Sequence, residues 1–170
     1  MSMIINGDGS ITGLSAGGLP DATVTQSDLA SGVAGTGPAF SAYLSGNQTL
    51  TTQTFVKITC QTEEFDTASC YDNSTNYRFT PNVAGYYQVD ANVYFNADTR
   101  GIVAIYKNGS QFKNGQDITA INIRGLGASC IIYMNGSTDY IELYAWTQGT
   151  TVVGGQPYQT YFQATLVRSA

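Results

Sequence analysis

The chain has 170 residues, 42% hydrophobic and 12% aromatic, enough apolar surface for one domain with a full core. Only 11% of residues are charged and the net charge is −5, so surface polarity must come from Asn, Gln, Ser, Thr and Tyr. Such a surface suits a protein that packs against copies of itself or a larger assembly. Seven Lys and Arg scattered along an acidic chain make no basic face, so no nucleic-acid partner is expected, and no apolar run approaches the roughly 20 residues of a membrane span.

Residues 1–37 are rich in Gly, Ser, Thr, Ala and Asp and contain no aromatic residue. Met1 is not followed by a basic region and an apolar stretch, so a secretory signal is not expected and synthesis in a cytoplasm is. Turn signals stand at Gly7-Asp-Gly9 and Gly17-Gly-Leu-Pro20. Thr25 with Asp28 three residues on resembles a capping box with Asp in place of Glu, which predicts a short helix. Such a segment builds no core of its own. It reads either as a disordered tail or as an arm ordered only against a partner.

From Pro38 onward the pattern predicts strand after strand: Ala39–Leu44, Thr54–Thr59, Tyr77–Thr80, Gly85–Phe95, Gly101–Lys107, Ala128–Tyr133, Asp139–Trp146 and Thr160–Arg168. The clearest is Gly85–Phe95, where Tyr87, Val89, Ala91, Val93 and Phe95 alternate with polar residues, the period of a strand with one packed face. Asn108-Gly109 and Asn135-Gly136 predict hairpin turns, because Asn and Gly tolerate positive φ. Thr62–Asn76 and Thr147–Gln156 read as outer loops. The expected fold class is all-β, an antiparallel two-sheet sandwich preceded by an extended N-terminal arm with little regular structure.

Chemistry is sparse. With no histidine, neither a Ser-His-Asp nor a Cys-His arrangement is available, so no catalytic residue and no cofactor is assigned. Cys60, Cys70 and Cys130 are an odd count. Cys60 and Cys70 flank an acidic stretch and read either as a disulfide or as thiols, the latter favoured by a reducing site of synthesis. Glu63, Glu64 and Asp66 are weak calcium candidates, against the commoner reading of a solvated surface. The four Asn-x-Ser/Thr sites, beginning at Asn47, Asn73, Asn108 and Asn135, read as polar turns without a signal. Tyr43, Phe55, Phe65, Tyr77, Phe79, Tyr87, Phe95, Tyr106, Tyr133, Tyr144, Trp146 and Phe162 read mostly as core. Tyr86, Tyr94, Tyr140, Tyr158 and Tyr161 are harder to place. Tyrosine on an outer face lines a subunit interface or stacks on a sugar.

Several stretches together resemble the C1q-like domains of the complement and tumour-necrosis-factor superfamily: Pro38-Ala-Phe-Ser-Ala-Tyr-Leu44, Thr54-Phe-Val-Lys-Ile58, Glu64-Phe-Asp66, Tyr77-Arg-Phe-Thr-Pro81 with Gly85-Tyr-Tyr87, Ile105-Tyr-Lys-Asn-Gly109 and Thr160-Tyr-Phe-Gln-Ala-Thr-Leu166. Phe79, Gly85 and Tyr87 carry the most recognisable spacing. Val89 stands where the family usually has Phe, and collagen repeats are absent. The resemblance covers residues 38–170 and implies a ten-strand jelly roll forming a homotrimer, with Tyr86, Tyr94 and Tyr161 as interface candidates. Asn6-Gly-Asp-Gly-Ser-Ile-Thr-Gly-Leu14, Gly18-Leu-Pro-Asp-Ala-Thr-Val-Thr25 and Asp28-Leu-Ala30 are similar to the N-terminal segment of many tailed-bacteriophage virion proteins. Together these imply a virion structural protein: a trimeric capsid decoration or head-fibre protein whose residues 1–37 attach it to a capsid or tail protein, with binding of a host-surface glycan or protein as a second job. A tail-fibre adhesin and a secreted C1q-like lectin or cytokine-like ligand are the alternatives.

Overall fold

In the computed structural model the described residues are 37–119 and 124–170, together with the backbone of two short strands nearer the N-terminus. The chain divides into two compact units, Met1–Ala30 and Ser31–Ala170. In the first, β1 (Ile4–Ile5) pairs antiparallel with β2 (Ile11–Thr12). The helix predicted from Thr25 lies outside the described residues.

The second unit is a sandwich of two antiparallel sheets, with no helix among the described residues. Its strands are β3 (Ala39–Tyr43), β4 (Gln48–Leu50), β5 (Val56–Lys57), β6 (Thr62–Asp66), β7 (Tyr71–Asp72), β8 (Arg78–Phe79), β9 (Ala84–Phe95), β10 (Gly101–Lys107), β11 (Ser110–Ile118), β12 (Arg124–Asn135), β13 (Ile141–Thr147), β14 (Thr151–Val153) and β15 (Tyr161–Ser169). The first sheet runs β12-β9-β15-β3-β6, with β14 and β4 extending it past the start of β15. In the second, β11-β10-β13 continues through β8 to β7, and β5 also pairs with β13.

Alternation along β9 decides which face is inside. Gly85, Tyr87, Val89, Ala91, Val93 and Phe95 are all buried, opposite Val103, Ile105, Ile141, Leu143 and Ala145 in the core formed with the second sheet. Phe40 stacks on Tyr71 and Phe79, each at 4.6 Å, and meets Phe162 edge-on at 5.1 Å. Phe79 in turn meets Tyr87 at 5.7 Å. The buried Tyr87 and Tyr71 hydroxyls donate to the Val83 and Cys60 carbonyls at 2.7 and 2.8 Å, so neither leaves a polar group orphaned. A Cβ at Gly85 would stand 2.7 Å from the Leu166 side chain and collide with the Arg168 carbonyl, so that position has no room for a side chain.

The two predicted Asn-Gly hairpins have different outcomes, and both predicted outer loops hold strands. Asn108 and Gly109 have φ of 51° and 76° and close the β10–β11 hairpin. Asn135-Gly136 makes no hairpin: it joins β12 of one sheet to β13 of the other, and Asn135 Oδ1 instead accepts the N–H groups of Ser137, Thr138 and Asp139. Thr62–Asn76 and Thr147–Gln156 are not simple loops, since they hold β6, β7 and β14 and bury Tyr71, Thr151 and Val153. Strand β11 escaped the sequence reading because its residues are almost all exposed and carry no apolar alternation.

Candidate assembly interface

The outer face of the first sheet is built from every second residue of its strands. Register places these side chains in rows across the sheet. Tyr133 pairs with Tyr86; Ile131 with Gln88, and Gln88 with Thr165; Ser129 with Asp90, and Asp90 with Gln163. Asn92 pairs with both Gly127 and Tyr161, and Tyr94 with Gly125. The three interface candidates Tyr86, Tyr94 and Tyr161 thus lie on one face, at its two ends.

One end is apolar. Tyr86 is 45% exposed and Tyr133 43%, their rings 5.6 Å apart, and Ile131 is 60% exposed beside them. Tyr86 and Ile131, with Val167 and Arg168, border an open depression of about 690 Å³. Exposed apolar clusters of this kind mark surfaces that meet another molecule. The centre is polar and pre-arranged: Gln88 Nε2 donates to Ser129 Oγ at 2.8 Å and to Asp90 Oδ1 at 3.2 Å, and Ser41 Oγ donates to Glu64 Oε2 at 2.6 Å.

Tyr133 and Phe65 were expected inside and stand on this outer face. Consecutive apolar residues Ile131, Ile132 and Tyr133 leave the phase of β12 ambiguous, and the structure buries Leu126, Ala128, Ile132 and Met134. Tyr106, Tyr144 and Trp146 also lie outside the core, on the outer face of the second sheet. Each of these three rings has a partner. Tyr106 stacks on Tyr144 at 4.0 Å, Phe55 leans on Tyr106 at 5.8 Å, and Arg100 lies over Trp146 at 5.5 Å. Lys57 Nζ reaches Glu142 at 2.5 Å, and Arg100 makes a two-pronged contact with Asp117 at 2.9 and 2.7 Å. Tyr140 lies beneath Arg78 at 4.3 Å, while Tyr158 is 77% exposed on the turn before β15.

The calcium candidates are not brought together. Glu64 is engaged by Ser41, and Asp66 accepts the backbone N–H groups of Ala68 and Tyr71 at 3.1 and 2.7 Å. Burial and the nearby Asp66 charge hold the Glu63 carboxyl above its ordinary value. Among the described residues, no three carboxylate, thiol or imidazole groups converge as a metal site needs. Cys60, Cys70 and Cys130 are free thiols, so the Cys60–Cys70 bridge is not formed. Burial pushes the Cys60 thiol up to about 12 and also raises Cys70 and Cys130, the reverse of what a nucleophilic cysteine requires. No helix among the described residues is long and apolar enough to cross a membrane.

No protein-family model and no curated protein matches the sequence. Solved structures match in fold. The globular domain of zebrafish complement 1qA protein is 14% identical, with a TM-score of 0.56 over 79% of this chain and 100% of its own. Murine APRIL at pH 5.0 is 9% identical, with a TM-score of 0.57 over 76% of this chain and 98% of its own. The PRD1 vertex protein P5 is 14% identical, with a TM-score of 0.53 over 77% of this chain and 97% of its own. The fold is therefore an antiparallel jelly roll of the C1q/TNF-like type.

Proposed function

We propose that the protein is a homotrimeric structural component of a bacteriophage virion, a capsid decoration or head-fibre protein that works by binding. Residues 1–37 form the attachment arm and residues 38–170 the assembling jelly roll. The observation that carries the assembly is the exposed apolar end of the first sheet, where Tyr86, Ile131 and Tyr133 are solvated in the single chain. The particle setting is supported by the phage-like residues 6–30 and by a fold shared with a protein named for a virus vertex.

Three arms on one trimer bind at high mutual effective concentration, so a weak single-arm contact with a capsid or tail protein still holds firmly. Host-surface binding is a second job for loops carried on the rigid sandwich. Locating the chain in a virion map is the decisive experiment. Copies on the capsid lattice support decoration, and copies at the tail tip support a receptor-binding fibre instead. Deleting residues 1–36 is expected to leave a folded trimer that no longer enters particles; undiminished incorporation would sink the arm. The fold shared with complement and APRIL domains favours one rival, a secreted lectin or cytokine-like ligand. That rival predicts export and a glycan on Asn73, which mass spectrometry of the purified protein reads directly.

A further inference from the structure

The tripeptide Asn-Gly-Ser occurs twice, at residues 108–110 and 135–137. The local sequence makes the two alike; the fold does not. In the loop Asn135-Gly-Ser-Thr-Asp139, Asn135 Oδ1 accepts the N–H groups of Ser137, Thr138 and Asp139 at 3.0, 2.9 and 2.9 Å and the Ser137 hydroxyl at 3.3 Å. The loop Asp72-Asn-Ser-Thr-Asn76 repeats that pattern. Its Asp72 carboxylate accepts the N–H groups of Ser74, Thr75 and Asn76 at 3.1, 2.9 and 3.1 Å and the Ser74 hydroxyl at 3.3 Å. One loop thus holds an amide oxygen where the other holds an anion. Converging N–H groups of this kind favour negative charge. The Thr75 N–H above all keeps the Asp72 carboxyl well below the ordinary carboxylate range.

We propose that Asn135 is a site of spontaneous deamidation in the folded chain, converting to aspartate while Asn108 persists. The Gly136 backbone nitrogen gives up its proton and bonds to Asn135 Cγ. Oδ1 then carries the negative charge of the tetrahedral adduct, and the three N–H groups already pointing at it stabilise that charge. The Cγ–Nδ2 bond breaks, and Nδ2 takes a proton from solvent and leaves as ammonia. Water opens the resulting five-membered imide, giving aspartate or its β-linked isomer, so one water is consumed for each ammonia released. Gly136 has φ of 71°, and a Cβ there would lie 2.3 Å from the Ala84 nitrogen, so the fold demands glycine at the attacking position and no side chain shields its nitrogen. Asn135 is exposed, which admits the water.

The product also fits. A carboxylate at position 135 meets the kind of N–H cradle that Asp72 occupies. The Thr138 hydroxyl, which now accepts from Asn135 Nδ2 at 2.8 Å, turns to donate instead. Asn108 differs on both counts. Its Oδ1 accepts one N–H, from Tyr140 at 2.9 Å, and its Nδ2 donates to Asp139 Oδ1 at 2.8 Å. Lys107 Nζ fixes that carboxylate from the other oxygen at 2.8 Å. Conversion of Asn108 would turn its hydrogen bond to Asp139 into a direct contact of two carboxylates, which like charge opposes.

The test incubates the full chain in mildly alkaline buffer, folded and in urea, and follows both tripeptides by peptide mass spectrometry. In urea the two should convert at equal rates, because their local sequences match. In the folded chain Asn135 should convert about tenfold faster than Asn108, less than the roughly 10²-fold that one oxyanion donor is worth in a closed site, because this loop is exposed. Equal or reversed rates in the folded chain overturn the proposal, as does an Asn135 that stays an amide when folded and is lost in urea. The product has its own readout: Asn135→Asp should melt with the unaltered protein, and Asn108→Asp at a lower temperature. An Asn135→Asp melting temperature that falls as far as that of Asn108→Asp overturns the fit of the carboxylate to the loop.

Discussion

The two outer faces of the sandwich are both rich in tyrosine, and they differ in how much of those rings is left in water. On the second sheet Tyr106 and Tyr144 stack, Arg100 covers Trp146, and the buried Glu142 is held by Lys57. That face is finished within one chain. On the first sheet Tyr86 and Tyr133 lean together with about half their surface in water, and Ile131 is 60% exposed beside them. An aromatic surface therefore says little by itself; what separates the two faces is how much apolar area the chain leaves in water.

The comparison breaks or sharpens under substitution. The largest effect is expected from Tyr86→Asp combined with Tyr133→Asp, which places two charges in the contact. Sedimentation should show single chains at concentrations where the unaltered protein forms the proposed trimer, with an almost unchanged urea midpoint. Next is Lys57→Met on the second sheet. It strands the Glu142 carboxylate, of which only 5% of the side chain is exposed, and should cost about 3 kcal/mol of folding stability with the mass unaltered. If Lys57→Met instead dissociates the trimer, the wrong face has been assigned. Tyr106→Leu keeps apolar area and loses the ring stack, and should cost about 1 kcal/mol in denaturant unfolding.

The smallest effect is alkaline. Burial, reinforced by the Glu142 charge, raises the Tyr144 phenol from 10.0 to about 12. A raised folded value contributes stability that is fully present below pH 10 and is lost as pH climbs through about 12. Tyr144→Phe should flatten that part of the stability profile, and an unchanged alkaline slope would show that the second face is wetter than its contacts indicate.

Much of the fold was legible before any coordinates. The alternation from Gly85 to Phe95 fixed the inner face of β9, and the Phe79, Gly85 and Tyr87 spacing lies at the aromatic centre of the core. The candidate interface was legible only in part. Tyr86, Tyr94 and Tyr161 fall on one outer face, as the alternation of β9 and β15 implies. Ile131 and Tyr133 were missed because three apolar residues in a row carry no phase. Tyr106, Tyr144 and Trp146 were read inward because hydrophobicity alone does not distinguish a core ring from one covered by a neighbouring cation or ring.

Sequence by itself determined the period, hence the strands and the sandwich, because side-chain alternation is a local property of extended backbone. It also determined that no histidine-based chemistry is available. Tertiary structure alone decided which tyrosines are covered, that Glu63, Glu64 and Asp66 do not converge, and that Ile131 and Tyr133 face outward while Ile132 is buried. Each depends on register between strands distant in the chain, and register is set by the collective burial of both sheets, not by any one segment.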